Sequence, residues 1–116
     1  MGYTHYWRLK EKHKPSLEKW KEATIEIEAS LDESVVCWDS DRPLSPPQID
    51  DEQVVFNGKR SDGHETFCIN RNDTGFHFCK TARKPYDYYV VKTLKILKNH
   101  FPKWIELDSD GENVFD

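Results

Sequence analysis

The sequence predicts an α+β fold, in which a mainly antiparallel sheet carries two amphipathic helices packed on one face. Two stretches, 17–31 and 85–100, place apolar residues three and four positions apart, as helices with one buried side do. Short stretches between them alternate apolar and polar residues, which is typical of half-buried strands. The resulting order is β-α-β-β-β-β-α-β, and packing both helices on one face of the sheet is its simplest layer arrangement.

Length and composition limit the class of protein. A chain of 116 residues can build one core, so we expect residues 1–116 to form a single domain. A net charge of −4 argues against the broad basic surface that general nucleic-acid binding needs. No apolar run approaches a membrane span and no export signal is visible, so no membrane partner is expected. Three widely spaced cysteines do not favour a disulfide framework and favour a reducing cytoplasm.

The first stretch, 1–9, is predicted to be a strand with large side chains on both faces. One face holds Tyr3, His5, Trp7 and Leu9, and the other holds Thr4, Tyr6 and Arg8. The first helix follows an expected N-cap at Ser16. Its apolar side holds Leu17, Trp20, Thr24, Ile27 and Leu31.

The middle of the chain is predicted to contain two strands joined by a long loop. Residues 34–38 form a short apolar run, and residues 53–57 form another that ends at Asn57-Gly58. The stretch 39–53 between them contains three prolines and several carboxylates. Because proline fixes φ and removes a hydrogen-bond donor, this stretch is predicted to be a mobile loop.

The next two strands are predicted to pair as a hairpin, formed by residues 65–70 and 75–80. Placing Phe67 opposite Phe78 and Ile69 opposite Phe76 would collect the apolar residues on one face, and a slip of one residue would expose them all. The other face would hold Thr66, Cys68, His77 and Cys79. The second helix then presents Tyr86, Val90, Thr93, Leu94, Leu97 and Phe101 on its apolar side. Residues 104–107 are predicted to be a last strand, and the acidic tail, 112–116, is predicted to be loose.

The stretch FHFCKTARKPYD, residues 76–87, carries the main functional signal. Its cations Lys80, Arg83 and Lys84 lie with Thr81 between the end of a strand and a helix predicted to begin at Pro85. Unpaired N–H groups and the positive end of the helix dipole favour anions at such a place. The alternative is a solvated basic connection without a ligand.

Aromatic residues add a second signal, because one small core cannot hold all of them. Stacking surfaces beside the three cations would suit a nucleotide, with its base on an aromatic ring and its phosphate on a cation. Asn57 and Thr81 could contact a ribose or a base edge. The predicted ligand-binding residues are Tyr3, His5, Trp7, Phe56, Asn57, Lys80, Thr81, Arg83, Lys84 and Tyr86.

Other chemistry has weaker signals. Cys68, His77 and Cys79 could share one face, but no Cys-x-x-Cys pair and no fourth ligand accompany them, so we predict no metal site and no cofactor. Cys79 could carry an activated thiol, since a lysine and a helix N-terminus adjoin it. Glu65, His64 and Asp87 could act as acids or bases, and a hydrolase could use His5, His64 or Glu65. No known catalytic motif is present, so we assign no catalytic residue.

Several of these stretches together resemble a family of small bacteriophage and prophage proteins. They are MGYTHYW at residues 1–7, VFNG at 55–58, ETF at 65–67, FCKTARKPYD at 78–87 and SDG at 109–111. The resemblance implies a phage protein that works in the host-cell cytoplasm and acts on a host pathway. It suggests sequestration of a nucleotide immune messenger, with a nucleotide-directed hydrolase and a protein-binding inhibitor as alternatives. A homo-oligomer is also consistent with a domain this small.

Overall fold

The computed structural model describes residues 2–39 and 42–116. The order of strands and helices along the chain is largely the order that the sequence predicts. Met1 of the predicted first strand and residues 40–41 of the predicted loop lie outside that range. The described residues form helices α1 (Leu17–Ser30) and α2 (Asp87–His100) and the strands β1 (Thr4–Leu9), β2 (Val35–Asp39), β3 (Arg42–Ser45), β4 (Gln48–Ile49), β5 (Gln53–Gly58), β6 (Phe67–Asn70), β7 (Gly75–Lys80) and β8 (Ile105–Ser109). Short 3₁₀ turns at Glu11–His13 and Arg60–Asp62 follow β1 and β5.

The strands form two antiparallel sheets. The first sheet has the order β7-β1-β8, and the second has the order β3-β2-β5-β4, with β6 also paired to β5. In the first sheet, Tyr6 lies opposite Phe78 on one side and opposite Asp108 on the other. The α+β class is therefore confirmed, with two sheets where the sequence suggested one.

Helix α2 buries the side that its periodicity indicates, and α1 does so only in part, because Leu17 is 40% exposed and Thr24 and Leu31 are half-buried. Every residue of the apolar side predicted for α2 is buried, although the helix begins at Asp87 rather than at Pro85. In α1 the buried residues are Trp20, Ala23 and Ile27, and Ser16 accepts a hydrogen bond from the Lys19 backbone N–H at 3.3 Å. The two helices pack on each other, and their buried residues share one core with the inward faces of the sheets.

Two stretches predicted to be irregular make specific contacts. Residues 39–53 hold β3 and β4, and Ile49 of β4 pairs with Val54. The indole N–H of Trp20 donates to the Asp50 carbonyl at 2.9 Å, which fixes this stretch to α1. In the tail, the ring of Phe115 packs against the core, so the end of the chain is anchored there.

The predicted hairpin is wrong in its partners and in its faces. β6 pairs with β5, and β7 pairs with β1, so the two strands lie in different sheets. Phe67 is buried as predicted, but Phe76 and Phe78 are 52% and 49% exposed. Cys79 takes the inward position instead. The alternation of β7 is compatible with either face, and pairing with β1 turns its aromatic side outward.

Candidate functional site

The basic turn, residues 80–84, has an unusual backbone conformation. Ala82 and Arg83 have φ values of 52° and 57°, in the left-handed region that residues other than glycine seldom adopt. Such conformations cost about 1–3 kcal/mol each and persist where the surroundings determine them. Here the backbone N–H groups of Thr81 and Ala82 both donate to the Tyr3 carbonyl, at 3.0 and 3.3 Å. The turn is therefore held in its shape by the start of the first sheet.

This backbone places Arg83 on an aromatic ring. Its guanidinium lies 3.9 Å from the centre of the Tyr3 ring, close enough for a cation–π contact. The side chain is exposed, and among residues 2–39 and 42–116 its guanidinium has no hydrogen-bond partner. The contact with the Tyr3 ring leaves the N–H donors of the guanidinium available, and such a group can grip a phosphate with two parallel bonds.

The two lysines of the turn differ in setting. Lys80 is exposed, and its Nζ lies 5.8 Å from the centre of the Phe78 ring. Lys84 is half-buried, and its carbonyl accepts from the Asp87 N–H at 2.8 Å. Asp87 also places a carboxylate in the first turn of α2. The positive end of this helix is therefore already offset by the chain's own charge, so the cationic side chains rather than the helix dipole must attract an external anion.

Four of the predicted ligand-binding residues lie in the core. Trp7, Phe56 and Tyr86 are at most 2% exposed, and Asn57 is 4% exposed. The Asn57 side chain joins β5 to the following loop: its amide donates to the His64 carbonyl at 3.0 Å, and its oxygen accepts from the His64 N–H at 3.0 Å. The Tyr86 hydroxyl donates to the carbonyls of Glu65 and Lys80. These side chains shape the scaffold and do not face the basic turn's outer surface.

Tyr3, His5 and Thr81 are brought together with Asp87, one of the residues that the sequence offered as an acid or a base. His5 is fully buried, and its Nε2 lies 2.6 Å from Oδ1 of Asp87. Its Nδ1 lies 2.8 Å from the Ser109 hydroxyl, which also accepts from the Gly111 N–H at 3.0 Å. Thr81 donates its hydroxyl to the same carboxylate oxygen. We call Ser109, His5 and Asp87 the polar relay.

The carboxylate of the relay is held in its ionised form. Burial alone raises the pKa of Asp87, but the hydrogen bonds from His5 and Thr81 and the nearby charge of Arg83 lower it. The net effect keeps the pKa of Asp87 below its usual value. The cysteine beside the turn behaves differently, because burial raises the pKa of the Cys79 thiol to about 12. The suggestion of an activated thiol is therefore contradicted.

The outward side of the first sheet was missed by sequence reasoning. We call it the aromatic face, formed by Tyr6, Arg8, Phe76, Phe78 and Lys80. Tyr6 and Phe76 stack with their ring centres 5.9 Å apart, and the Arg8 guanidinium lies 5.6 Å from the Phe76 ring centre. The face borders a cavity of about 480 Å³ lined by Tyr6, Trp7, Arg8, Phe76, Glu106, Leu107 and Asp108. The available sequence signal for this face was the polar side of the predicted first strand. If a neighbouring strand turns its aromatic residues to that same side, their rings are exposed.

The carboxylates of the neighbouring strand border this face. Glu106 and Asp108 on β8 are exposed beside Arg8 and Tyr6, and Glu106 pairs with Lys10 at 2.6 Å. The Tyr6 hydroxyl donates to Oδ1 of Asp110 at 2.8 Å. On the outward side of the sheet, the side chains therefore change from aromatic and cationic on β7 to acidic on β8.

Comparison with known proteins leaves the site to be interpreted from its geometry. No protein-family model, curated protein or solved structure matches the chain. In the described part of the chain, no helix is long and apolar enough to cross a membrane. The same residues contain no cluster of three or more His, Cys, Asp or Glu side chains suited to a metal ion.

Proposed function

We propose that this protein binds a small phosphorylated ligand of the nucleotide type, with the base on the aromatic face and the phosphate on the basic turn. The observation that carries the proposal is the position of Lys80, which belongs to both surfaces. Its ammonium group lies over the Phe78 ring at the point where β7 enters the turn. A ligand with a flat aromatic part and an adjacent anion matches that pairing.

The exposed rings support the base-binding part of the proposal. A small domain gains stability by burying Phe, yet Phe76 and Phe78 remain about half exposed next to each other, with ring centres 6.3 Å apart. Stacking a base on such a ring contributes about 1–3 kcal/mol and tolerates different bases. The cations over both rings add to the attraction for an electron-rich ligand.

The charge gradient across the sheet orients the ligand. Glu106 and Asp108 would repel a phosphate, while their oxygens can accept from ribose hydroxyls or base amino groups. The phosphate therefore points to the opposite end of the face, toward Lys80 and Arg83. There the free donors of Arg83 supply charge-assisted hydrogen bonds.

The phage context that the resemblance implies suggests which ligand of this type is bound. A nucleotide immune messenger of the host carries both a base and phosphate groups, and its sequestration would counter host defence. Holding such a ligand intact needs only the aromatic face and the basic turn.

Calorimetry with a panel of cyclic and linear nucleotides tests the proposal. We expect one class to bind, and Phe78→Ala to lower its affinity about tenfold or more, because a stacking surface is lost. Tyr88→Ala is the matched control, since Tyr88 is 61% exposed on α2 away from the face. Binding by no nucleotide, or equal losses in both variants, would contradict the proposal.

The fate of the ligand separates sequestration from the alternative, a nucleotide-directed hydrolase. The protein is loaded with the bound nucleotide, washed and heated, and the released compound is identified by mass spectrometry. Intact ligand supports sequestration, and a cleaved product supports the hydrolase.

A further inference from the structure

We propose that Ser109 is a nucleophile, activated by His5 and Asp87, that cleaves esters of small carboxylic acids. This activity is separate from nucleotide binding, because it uses side chains on the inward side of the first sheet. The three side chains come from β8, β1 and α2, and they form one continuous chain of hydrogen bonds. Hydroxyl, imidazole and carboxylate in that order are the groups that nucleophilic hydrolysis by serine requires.

The hydrogen-bond partners fix the direction of proton transfer. An ionised Asp87 only accepts, so Nε2 of His5 carries a proton, and in the neutral imidazole that the reaction requires Nδ1 offers a lone pair. The Gly111 N–H donates to one lone pair of the Ser109 oxygen, and the hydroxyl proton is directed to Nδ1 of that neutral imidazole. The two imidazole nitrogens exchange roles relative to the usual serine hydrolase: Nδ1 faces the serine hydroxyl, and Nε2 faces the carboxylate.

The surroundings hold His5 in position for that proton transfer. The rings of Tyr3 and Phe115 meet the imidazole edge-on, with centres 5.1 and 5.6 Å away, and the side chain is fully buried between them. Glycine is required at position 111, two residues after the serine, because a Cβ there would collide with the Tyr3 hydroxyl and with Val114. Thr81 shares the Asp87 oxygen and helps to hold the carboxylate toward the ring. An imidazolium formed during the reaction is stabilised directly by that carboxylate.

The space beside Ser109 indicates the substrate class. A cavity of about 80 Å³ adjoins this residue, and its lining includes the apolar residues Leu107, Val114 and Phe115 together with Asp108 and Asp116. Because pockets for drug-sized ligands measure about 300–1,000 Å³, a cavity this small suits only a short acyl group such as acetyl. The two carboxylates would repel a phosphate group, so an uncharged carboxylic ester fits better than a phosphoester.

The reaction balances with water as the only co-reactant. The Ser109 oxygen forms a bond to the ester carbonyl carbon while its proton passes to Nδ1 of His5. The bond from that carbon to the leaving oxygen then breaks, and the leaving oxygen takes the proton from His5. A water molecule attacks the acyl-serine with His5 again accepting a proton, and the free acid and Ser109 hydroxyl are restored.

Acetylation by p-nitrophenyl acetate tests this proposal in the full chain. We expect a burst of p-nitrophenol and one acetyl group on Ser109, located by mass spectrometry of peptides. Ser109→Ala should abolish both, and the exposed Ser61→Ala should react like the parent. Asp87→Asn should slow the acetylation of Ser109 at least about a hundredfold, since assistance by a positioned base contributes about 10²–10⁴-fold.

Two further measurements keep the test decisive. Thermal unfolding and circular dichroism of each variant separate loss of reactivity from loss of fold. If Ser109→Ala does not fold, Asp87→Asn remains as a test, because it conserves the size of the side chain. An unmodified Ser109 in the folded parent, or acetylation unaffected by Asp87→Asn, would overturn the proposal. Cleavage of bis(p-nitrophenyl) phosphate that depends on Ser109 would overturn the assignment of a carboxylic ester.

Discussion

Among single residues, Arg83 shows most directly how the backbone can prepare a binding group. The left-handed turn places its guanidinium over the Tyr3 ring with its N–H donors free. Arg83→Lys keeps the charge but loses the planar fork, so the affinity for the phosphorylated ligand should fall about tenfold. Calorimetry at two salt concentrations measures the loss, and added salt should weaken binding by the parent.

The neighbouring cations provide the comparison for Arg83. Lys80→Ala should weaken binding as well, because Lys80 joins the basic turn to the aromatic face. If Lys80→Ala, Arg83→Ala and Lys84→Ala all bound like the parent, the turn would be only a solvated connection.

Asp87 should make stability depend on pH. Its folded-state pKa lies below its unfolded value, so its contribution is fully present above about pH 4 and is lost as the pH falls through the folded-state pKa. Asp87→Asn should therefore be less stable than the parent at pH 7 and should lose less stability on acidification. Urea unfolding at a series of pH values measures both effects.

The control for Asp87 is another carboxylate with a lowered pKa. Glu106→Gln removes an exposed ion pair with Lys10, and exposed pairs contribute little to stability. It should change the pH profile less than Asp87→Asn does. If the two variants had equal profiles of stability against pH, the buried hydrogen bonds of Asp87 would not determine its contribution to stability.

Part of the residue-level site could be predicted from sequence. The cations of FCKTARKPYD are a local signal, and the structure places Arg83 and Lys80 beside aromatic rings. The prediction that Phe76 and Phe78 are buried was wrong. It rested on the apolar character of these residues, which favours burial. Their exposure depends on pairing with β1, and single-residue properties carry no information about that partner.

At the scale of elements, helices were predicted better than strands. A helix closes its hydrogen bonds locally, so the three- and four-residue spacing in α2 indicated both its existence and its buried side. A strand's alternation indicates two faces but not its neighbour. The pairing of β6 with β5 and of β7 with β1 could therefore not be read from either strand.

Leu94 tests the assignment of the buried side of α2. The side chain is fully buried, so Leu94→Ala should lower the free energy of unfolding by ~2–5 kcal/mol. Ile25→Ala is the control, because Ile25 is 71% exposed on α1 and its truncation leaves no cavity. Chemical denaturation measures both, and equal stabilities of the two variants would show that the buried face is misplaced.

In the whole molecule, distant stretches of the chain meet at one end of the first sheet. Tyr3 just before β1, His5 in β1, the turn before α2 and Ser109 at the end of β8 lie together. The aromatic face lies on the outward side of the same sheet. The sequence identified each stretch separately. Their convergence follows from the strand order β7-β1-β8. This order depends on long-range pairing rather than on local pattern, so the separate stretches did not indicate it.

The most direct test of nucleotide binding is an NMR titration of the isotope-labelled parent protein with the nucleotide panel. We expect one class of nucleotide to shift the backbone signals of β1 and β7 on the aromatic face, together with those of Thr81, Arg83 and Lys84 in the adjoining turn. Signals from the second sheet should stay in place. Shifts confined to the second sheet, or no shift with any nucleotide of the panel, would contradict the proposed site.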